Sequence, residues 1–235
     1  MYNTSNEIII ESAEITLLVT EGLVDKSKKA FATVIKKIKE FIRKVVTYIK
    51  SKLTNKIKTV DKNIKKVKVD ETETETLEEP ITLANSKKLD ELLDSVETVL
   101  KTAKEVLLSV AQRVSMLSDS QLDEFHDTIT NKYETLESLY EKYKDDIDET
   151  YTEIPSSIYD VYGKTNRKCS DLTNDIMECA WRLDDAIKGI SDSTDNSTAK
   201  RMQIITKTQA TITKAITVAD FVTNSCNRSI TNLYR

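Results

Sequence analysis

Only three glycines and two prolines occur among 235 residues, and these are the residues that most often end helices and form turns. A chain with so few of them has few turns, so its helices must be long. Apolar residues recur at alternating spacings of four and three, which mark one face of a helix. Over residues 89–117 this spacing holds for four heptads, as in bundles and coiled coils. The sequence predicts an all-α protein, an elongated antiparallel helical bundle or coiled-coil body without strands.

A long basic amphipathic helix is predicted near the amino terminus. Residues 26–68 hold sixteen lysines and arginines against two acids, a net charge of +14. Their apolar residues form one stripe, which is interrupted after Ile49 by two successive steps of four and predicts a stutter or a kink near Asn55. Lys52 and Lys56 project onto the apolar side. Seven lysines on the opposite half are candidate contacts to nucleic acid or another anionic surface: Lys36, Lys37, Lys44, Lys58, Lys62, Lys65 and Lys66.

The charge is segregated along the chain, although the net charge of the whole is only −4. Residues 1–68 are predicted to form an N-terminal arm, in which a short acidic helix precedes the basic one. Residues 69–82 alternate acids with threonine and have little to bury, so they predict a flexible acidic linker. Residues 83–235 predict an elongated four-helix bundle. One of its helices, predicted over 118–154, is strongly acidic and opens with a capping-box pattern.

Few residues are available for catalysis or for binding a metal. His126 is the single histidine, and its one acid-x-x-His unit falls short of a helical di-iron centre. The three cysteines lie on apolar stripes, where buried and inert thiols are expected. Glycine occurs only at positions 22, 163 and 189, so neither a dinucleotide-binding fingerprint nor a P-loop can be formed. We expect a protein that is not an enzyme and has no cofactor and no metal.

The first apolar run is unlike a signal peptide, because Glu7, Glu11 and Glu14 interrupt it. No run approaches the ~20 apolar residues that a membrane-spanning helix requires. We expect a protein that is made in a cytoplasm and is not secreted by a signal peptide.

Three kinds of partner for the basic helix are left open. Binding to nucleic-acid phosphates needs only many cations at helical spacing. Binding to an anionic membrane surface needs the apolar stripe itself to enter lipid, with Phe31, Phe41 and Tyr48 as its aromatic anchors. An acidic helix of the same chain or of a neighbouring copy could also neutralise the lysines, which would make the protein a scaffolding module and a possible homo-oligomer.

The opening residues, MYNTSNEIIIESAEIT, resemble the N-terminal capsid-targeting segment of internal head proteins in large contractile-tailed bacteriophages. The matching residues are Glu7, Ile8, Ile9, Glu11 and Ser12. Ile9-Ile10-Glu11 and Ser12-Ala13-Glu14 are also similar to cleavage sites of prohead proteases. The resemblance implies a virion protein in which residues 1–21 direct assembly, the basic helix contacts DNA and the bundle packs against other virion proteins. The alternative is a membrane-surface-associating protein similar to α-helical pore formers.

Overall fold

The computed structural model describes residues 4–25, 28–67, 75–112, 117–155, 157–188, 190 and 196–233. The helices are α1 (Thr4–Asp25), α2 (Lys28–Tyr48), a π-helical segment (Ile49–Leu53), α3 (Thr54–Val67), α4 (Ser86–Gln112), α5 (Asp119–Tyr143), α6 (Ile158–Lys188) and α7 (Asn196–Asn232). Two strands, β1 (Glu75–Ala84) and β2 (Asp148–Ile154), complete the described chain. The predicted all-α bundle is confirmed, with this small sheet as an addition.

Helix α7 is the centre of the bundle. Helices α1, α3, α4, α5 and α6 all pack against it, and most of its positions between Thr198 and Ile230 are buried. Around α7 the other helices follow one another in the order α1, α2 and α3, α6, α4 and α5, with α2 and α3 counted as one continuous rod. Each helix in this order packs against the next, but in the described residues α5 does not pack against α1 in the same way. The ring around α7 is therefore open between α1 and α5.

The threonines of α7 are accommodated mainly within the helix itself. Seven threonine hydroxyls donate to the carbonyl four residues earlier, namely those of Thr206, Thr208, Thr211, Thr213, Thr217, Thr223 and Thr231. This bond satisfies a hydroxyl that would otherwise be costly to bury. A segment rich in threonine and isoleucine, which favour strands on propensity alone, is thereby stable as a buried helix.

The π-helical segment joins α2 and α3 into one rod. The backbone N–H of Thr54 donates to the carbonyl of Ile49, five residues earlier, and the Thr54 hydroxyl donates to the same oxygen at 2.8 Å. A turn closed over five residues is wider than an α turn. Apolar residues that are four apart twice in succession therefore stay on the same side of the helix. Ile49, Leu53 and Ile57 are consequently all buried. The irregularity that the sequence predicts in this stripe takes the form of one extra residue in the helix.

The two strands correct the prediction of a chain without strands. Strands β1 and β2 pair antiparallel, with Ala84 opposite Asp148 and Glu75 opposite Ile154, and the register shifts between Thr76 and Ile81. The prediction of a flexible linker over 69–82 is wrong for its strand residues 75–82, and residues 68–74 lie outside the described chain. The acidic helix ends at residue 143 and not at 154. Threonine, tyrosine and isoleucine favour strands once a partner strand lies alongside.

The capping box predicted at the start of the acidic helix is present. The Ser118 hydroxyl accepts from the backbone N–H of Gln121, and the Gln121 side chain accepts from the backbone N–H of Ser118. Helix α5 therefore begins where the pattern predicts.

The basic helix belongs to the same core as the rest of the chain. Val34, Ile38 and Phe41 of α2 are buried in one cluster with the apolar residues of α4 to α7. Helices α2 and α3 pack against α6, and α3 also packs against α7. Residues 28–67 thus form one side of the bundle, which differs from the arm expected beside a four-helix body.

Candidate nucleic-acid interface

Four of the predicted lysines form a group on the outer side of α3. Lys58, Lys62, Lys65 and Lys66, here called the α3 lysine cluster, are exposed and surround a shallow depression. Lys58 and Lys66 are eight residues apart, about 12 Å along the helix axis, so four positive charges share a small area. None of the four forms an ion pair with any other residue that the structure describes. Their mutual repulsion makes an anion beside them favourable.

The opposite side of α3 holds the cluster in place. Ile57, Val60 and Ile64 are buried in the core. Asn166 of α6 donates from Nδ2 to the carbonyl of Ile57 at 3.0 Å and to Oδ1 of Asp61 at 2.7 Å. The Asp61 carboxylate, which lies between the lysines in the sequence, is thus turned toward α6. The lysines project from a rigid helix, which lowers the ordering cost of binding a ligand.

The predicted lysines of α2 are divided between two environments. Lys37 lies 3.6 Å from a carboxylate oxygen of Glu14, and Lys44 forms an ion pair with Glu11. The bond to Glu11 raises the pKa of Lys44 above its usual range. Lys36 is exposed without an ion pair among the described residues. Two of the seven predicted lysines therefore bind α1, and the structure does not bring all seven together.

The five residues of the predicted targeting segment lie on different sides of α1. Ile8, Glu11 and Ser12 are buried, whereas Glu7 and Ile9 are exposed. One carboxylate oxygen of Glu11 binds Lys44, and the other, Oε1, is buried without a hydrogen-bond partner. Helix α1 packs against α2 and α7. Part of the surface that the resemblance assigns to targeting is therefore buried inside the protein.

Lys56 differs from the other basic residues of the rod. Its Nζ lies 2.6 Å from Oδ1 of Asp220 on α7, and the Asp220 carboxylate is nine-tenths buried. The sequence places Lys56 on the apolar side of the helix, but it gives no sign of the partner, which is 164 residues away. The pair ties α3 to the central helix.

Replacing Lys56 with methionine should lower the free energy of unfolding by about 2–3 kcal/mol, because it leaves a buried carboxylate without its cation. This loss is smaller than that expected for a fully buried ion pair, because Lys56 itself is partly exposed and screened by water. Urea denaturation measures it. The double variant Lys56→Met with Asp220→Leu should recover most of the loss, and equal losses in both variants would contradict this account.

Among the residues that the structure describes, the histidine, the cysteines and the acids do not form a metal site. His126 is half-buried, and its Nδ1 lies 3.6 Å from Oδ1 of Asp127. Cys169, Cys179 and Cys226 are buried, and burial raises the pKa of each thiol. In the described ranges no three histidines, cysteines or acids are grouped so that they could hold a metal ion.

The acidic helix lies away from the basic rod. Helix α5 packs against α4 and α7, whereas α2 and α3 pack against α1, α6 and α7. In one direction around the bundle α6 and α4 separate the two charged surfaces, and in the other direction α1 and the open side do so. The acids of α5 therefore do not neutralise the α3 lysine cluster of the same chain.

Comparison with family models, curated proteins and solved structures finds no match for this chain. None of the described helices has a stretch that is both long and apolar enough to cross a membrane.

Proposed function

We propose that this protein is a non-enzymatic phage virion component whose helical bundle presents the α3 lysine cluster to nucleic-acid phosphates. One observation carries the proposal: Lys58, Lys62, Lys65 and Lys66 are exposed together, unpaired within the described chain, on a helix whose other side is fixed in the core. Such a surface binds phosphate without reading bases, so binding is independent of sequence. No cofactor takes part.

Packaged DNA is a ligand with the required chemistry. Its phosphates carry one negative charge per ~1.7 Å of duplex, and each lysine contact releases condensed counterions. The resemblance of the first residues to phage targeting segments supports a place inside the head or in the particle. Helices without a catalytic centre would then serve to hold the lysines and to contact other virion proteins.

The structure favours nucleic acid over lipid as the partner of the basic rod. Membrane binding by this rod requires its apolar stripe to enter the bilayer. Phe41 and Tyr48, two of its three aromatic anchors, are buried in the protein core, and the side chain of Phe31 lies outside the described residues. The exposed part of the rod is its lysine face, which suits a polyanion.

Reversal of the α3 lysine cluster, Lys58→Glu, Lys62→Glu, Lys65→Glu and Lys66→Glu together, should remove binding to random-sequence duplex DNA. If all four lysines contact phosphates, the logarithm of the association constant should fall with the logarithm of salt concentration with a slope of about −3 to −4. Affinity should then drop roughly a hundredfold between 50 and 200 mM salt. Fluorescence anisotropy across a salt series measures both quantities.

The matched control reverses four lysines elsewhere on the surface. Lys87, Lys101, Lys132 and Lys164 are exposed and form no ion pair within the described chain, so their reversal changes the net charge equally. Retained binding in this control, with loss in the cluster variant, assigns the contact to α3. Equal losses would show an effect of net charge alone, and wild-type protein that does not bind DNA at 50 mM salt would overturn the proposal.

A further inference from the structure

Helix α1 turns apolar side chains to solvent while it buries a carboxylate. Ile9, Ile10 and Leu17 are 41%, 53% and 60% exposed, whereas Glu11 is buried on the opposite side. Ile10 and Leu17 are two turns apart and share one side of the helix. Together with Ile9 they form an apolar ridge, here called the α1 ridge.

A groove of about 630 Å³ lies beside the α1 ridge, on the open side of the ring. Ile9, Ala13 and Thr16 form its α1 wall, Tyr133 and Glu137 form its α5 wall, and α7 forms its floor. Helices α1, α3, α4, α5 and α6 pack against α7, and no helix of the described chain fills the space between α1 and α5. The groove therefore lies beside α7 as an unfilled space between α1 and α5.

Two rows of opposite charge flank the ridge and the groove. Lys36, Arg43 and Lys50 are exposed on the α2 side, at intervals of seven residues. Asp127, Glu134 and Glu141 are exposed on the α5 side at the same intervals, although Glu141 also contacts Lys144, which directly follows α5. We call these the α2 basic row and the α5 acidic row. Because α5, the groove, α1 and α2 follow one another around the bundle, the order over this part of the surface is acidic row, groove, ridge and basic row.

We propose that this side is the interface of a homodimer, in which the α1 ridge of each copy enters the groove of the other. A two-fold axis parallel to the helices reverses the order of the features, so ridge meets groove twice. The same operation places the α2 basic row of each copy opposite the α5 acidic row of its partner. A second copy therefore satisfies both the apolar ridge and the charges beside it, which a lipid surface or a polyanion would not do.

The apolar part of this interface is tested by Leu17→Glu. A charge placed in a desolvated contact should raise the dissociation constant of the dimer at least about tenfold, since an unpaired buried charge is costly. Sedimentation equilibrium over a range of protein concentrations measures the constant. The control is Trp181→Glu, because Trp181 is a 52% exposed apolar residue on α6, away from the groove.

The electrostatic part is tested by exchanging the two rows between variants. One variant carries Lys36→Glu, Arg43→Glu and Lys50→Glu, and the other carries Asp127→Lys, Glu134→Lys and Glu141→Lys. Each variant alone should be monomeric, because like charges face each other twice. An equimolar mixture should form a heterodimer, because every row then meets an opposite charge. This prediction does not depend on which charge faces which along the rows.

Wild-type protein that stays monomeric at about 100 μM, or a Leu17→Glu variant that dimerises like wild type, would overturn the homodimer. If monomeric protein instead sediments with vesicles of anionic lipid and Leu17→Glu prevents this, the ridge belongs to a membrane surface and the inference also fails. The inference does not rest on DNA binding, because the α3 lysine cluster is left intact in every one of these variants. Loss of dimerisation and loss of DNA binding are therefore separate outcomes.

Discussion

Deletion of Lys50 should leave the protein folded and at least as stable as the wild type. Lys50 is an exposed residue of the π-helical segment, and the segment contains one residue more than an α-helix would need there. Without it, the buried positions from Ile38 to Ile64 follow alternating steps of four and three, namely Ile38, Ile42, Val45, Ile49, Leu53, Ile57, Val60 and Ile64. Both α2 and α3 can then keep their buried faces within one continuous α-helix.

The matched control is deletion of Lys39, an exposed lysine in the regular part of α2. It rotates the preceding residues by about 100° relative to the rest of the rod, and takes Val34 and Ile38 out of the core. The loss of two buried aliphatic side chains should cost about 3–6 kcal/mol. Urea denaturation followed by circular dichroism compares the two deletions, and equal losses would contradict the assignment of one extra residue to the π-helical segment.

Most of the fold follows from local pattern, which is why it could be predicted. Each long helix has its own stripe at a period of 3.6, and the scarcity of glycine and proline leaves few places to end one. The sheet could not be predicted in the same way. Strands β1 and β2 are separated by α4 and α5, and each contains acidic and threonine residues typical of a linker. The two segments become strands because they pair with each other, as Ala84 does with Asp148, and this pairing supplies their hydrogen bonds.

The junction after β1 shows the same dependence on distant residues. Tyr162 of α6 donates its hydroxyl to the Ala84 carbonyl at 2.6 Å, and Ser229 of α7 accepts from the Ala84 N–H at 2.8 Å. These bonds anchor the strand end to two helices far along the chain. Local sequence gives no indication of either bond, since both partners lie on faces that the pattern marks only as buried.

The candidate interface could be predicted in part. The helical period correctly turns the seven lysines away from the apolar stripe, but it contains no information about what lies on the flanks of that stripe. Helix α1 occupies one flank, so Lys37 and Lys44 meet Glu14 and Glu11. The α3 lysine cluster lies beyond α1 and remains exposed. Which lysines remain available to a ligand is therefore decided by the packing of another helix.

The sequence places the three cysteines on apolar stripes, and their burial leads to a quantitative expectation. Burial raises the pKa of the Cys169 and Cys179 thiols from about 9.0 to about 12, and it raises the pKa of Cys226 as well. Since only the thiolate reacts, at pH 8 the ionised fraction of a thiol with a pKa of about 12 is roughly a thousandfold smaller than that of an ordinary one. Exclusion of the reagent from the core adds to this protection.

Native protein at pH 8 should therefore react with an aromatic disulfide reagent at least roughly a thousandfold more slowly than the variant Ser138→Cys, whose added thiol lies on the exposed side of α5. In denaturing urea all three native thiols should react at the rate of the control, because unfolding restores both access and the ordinary pKa. Absorbance of the released thiolate follows the reaction. One native thiol that reacts at the control rate without urea would show that α6 or α7 opens locally, and that the centre of the bundle is less stable than its packing around α7 implies.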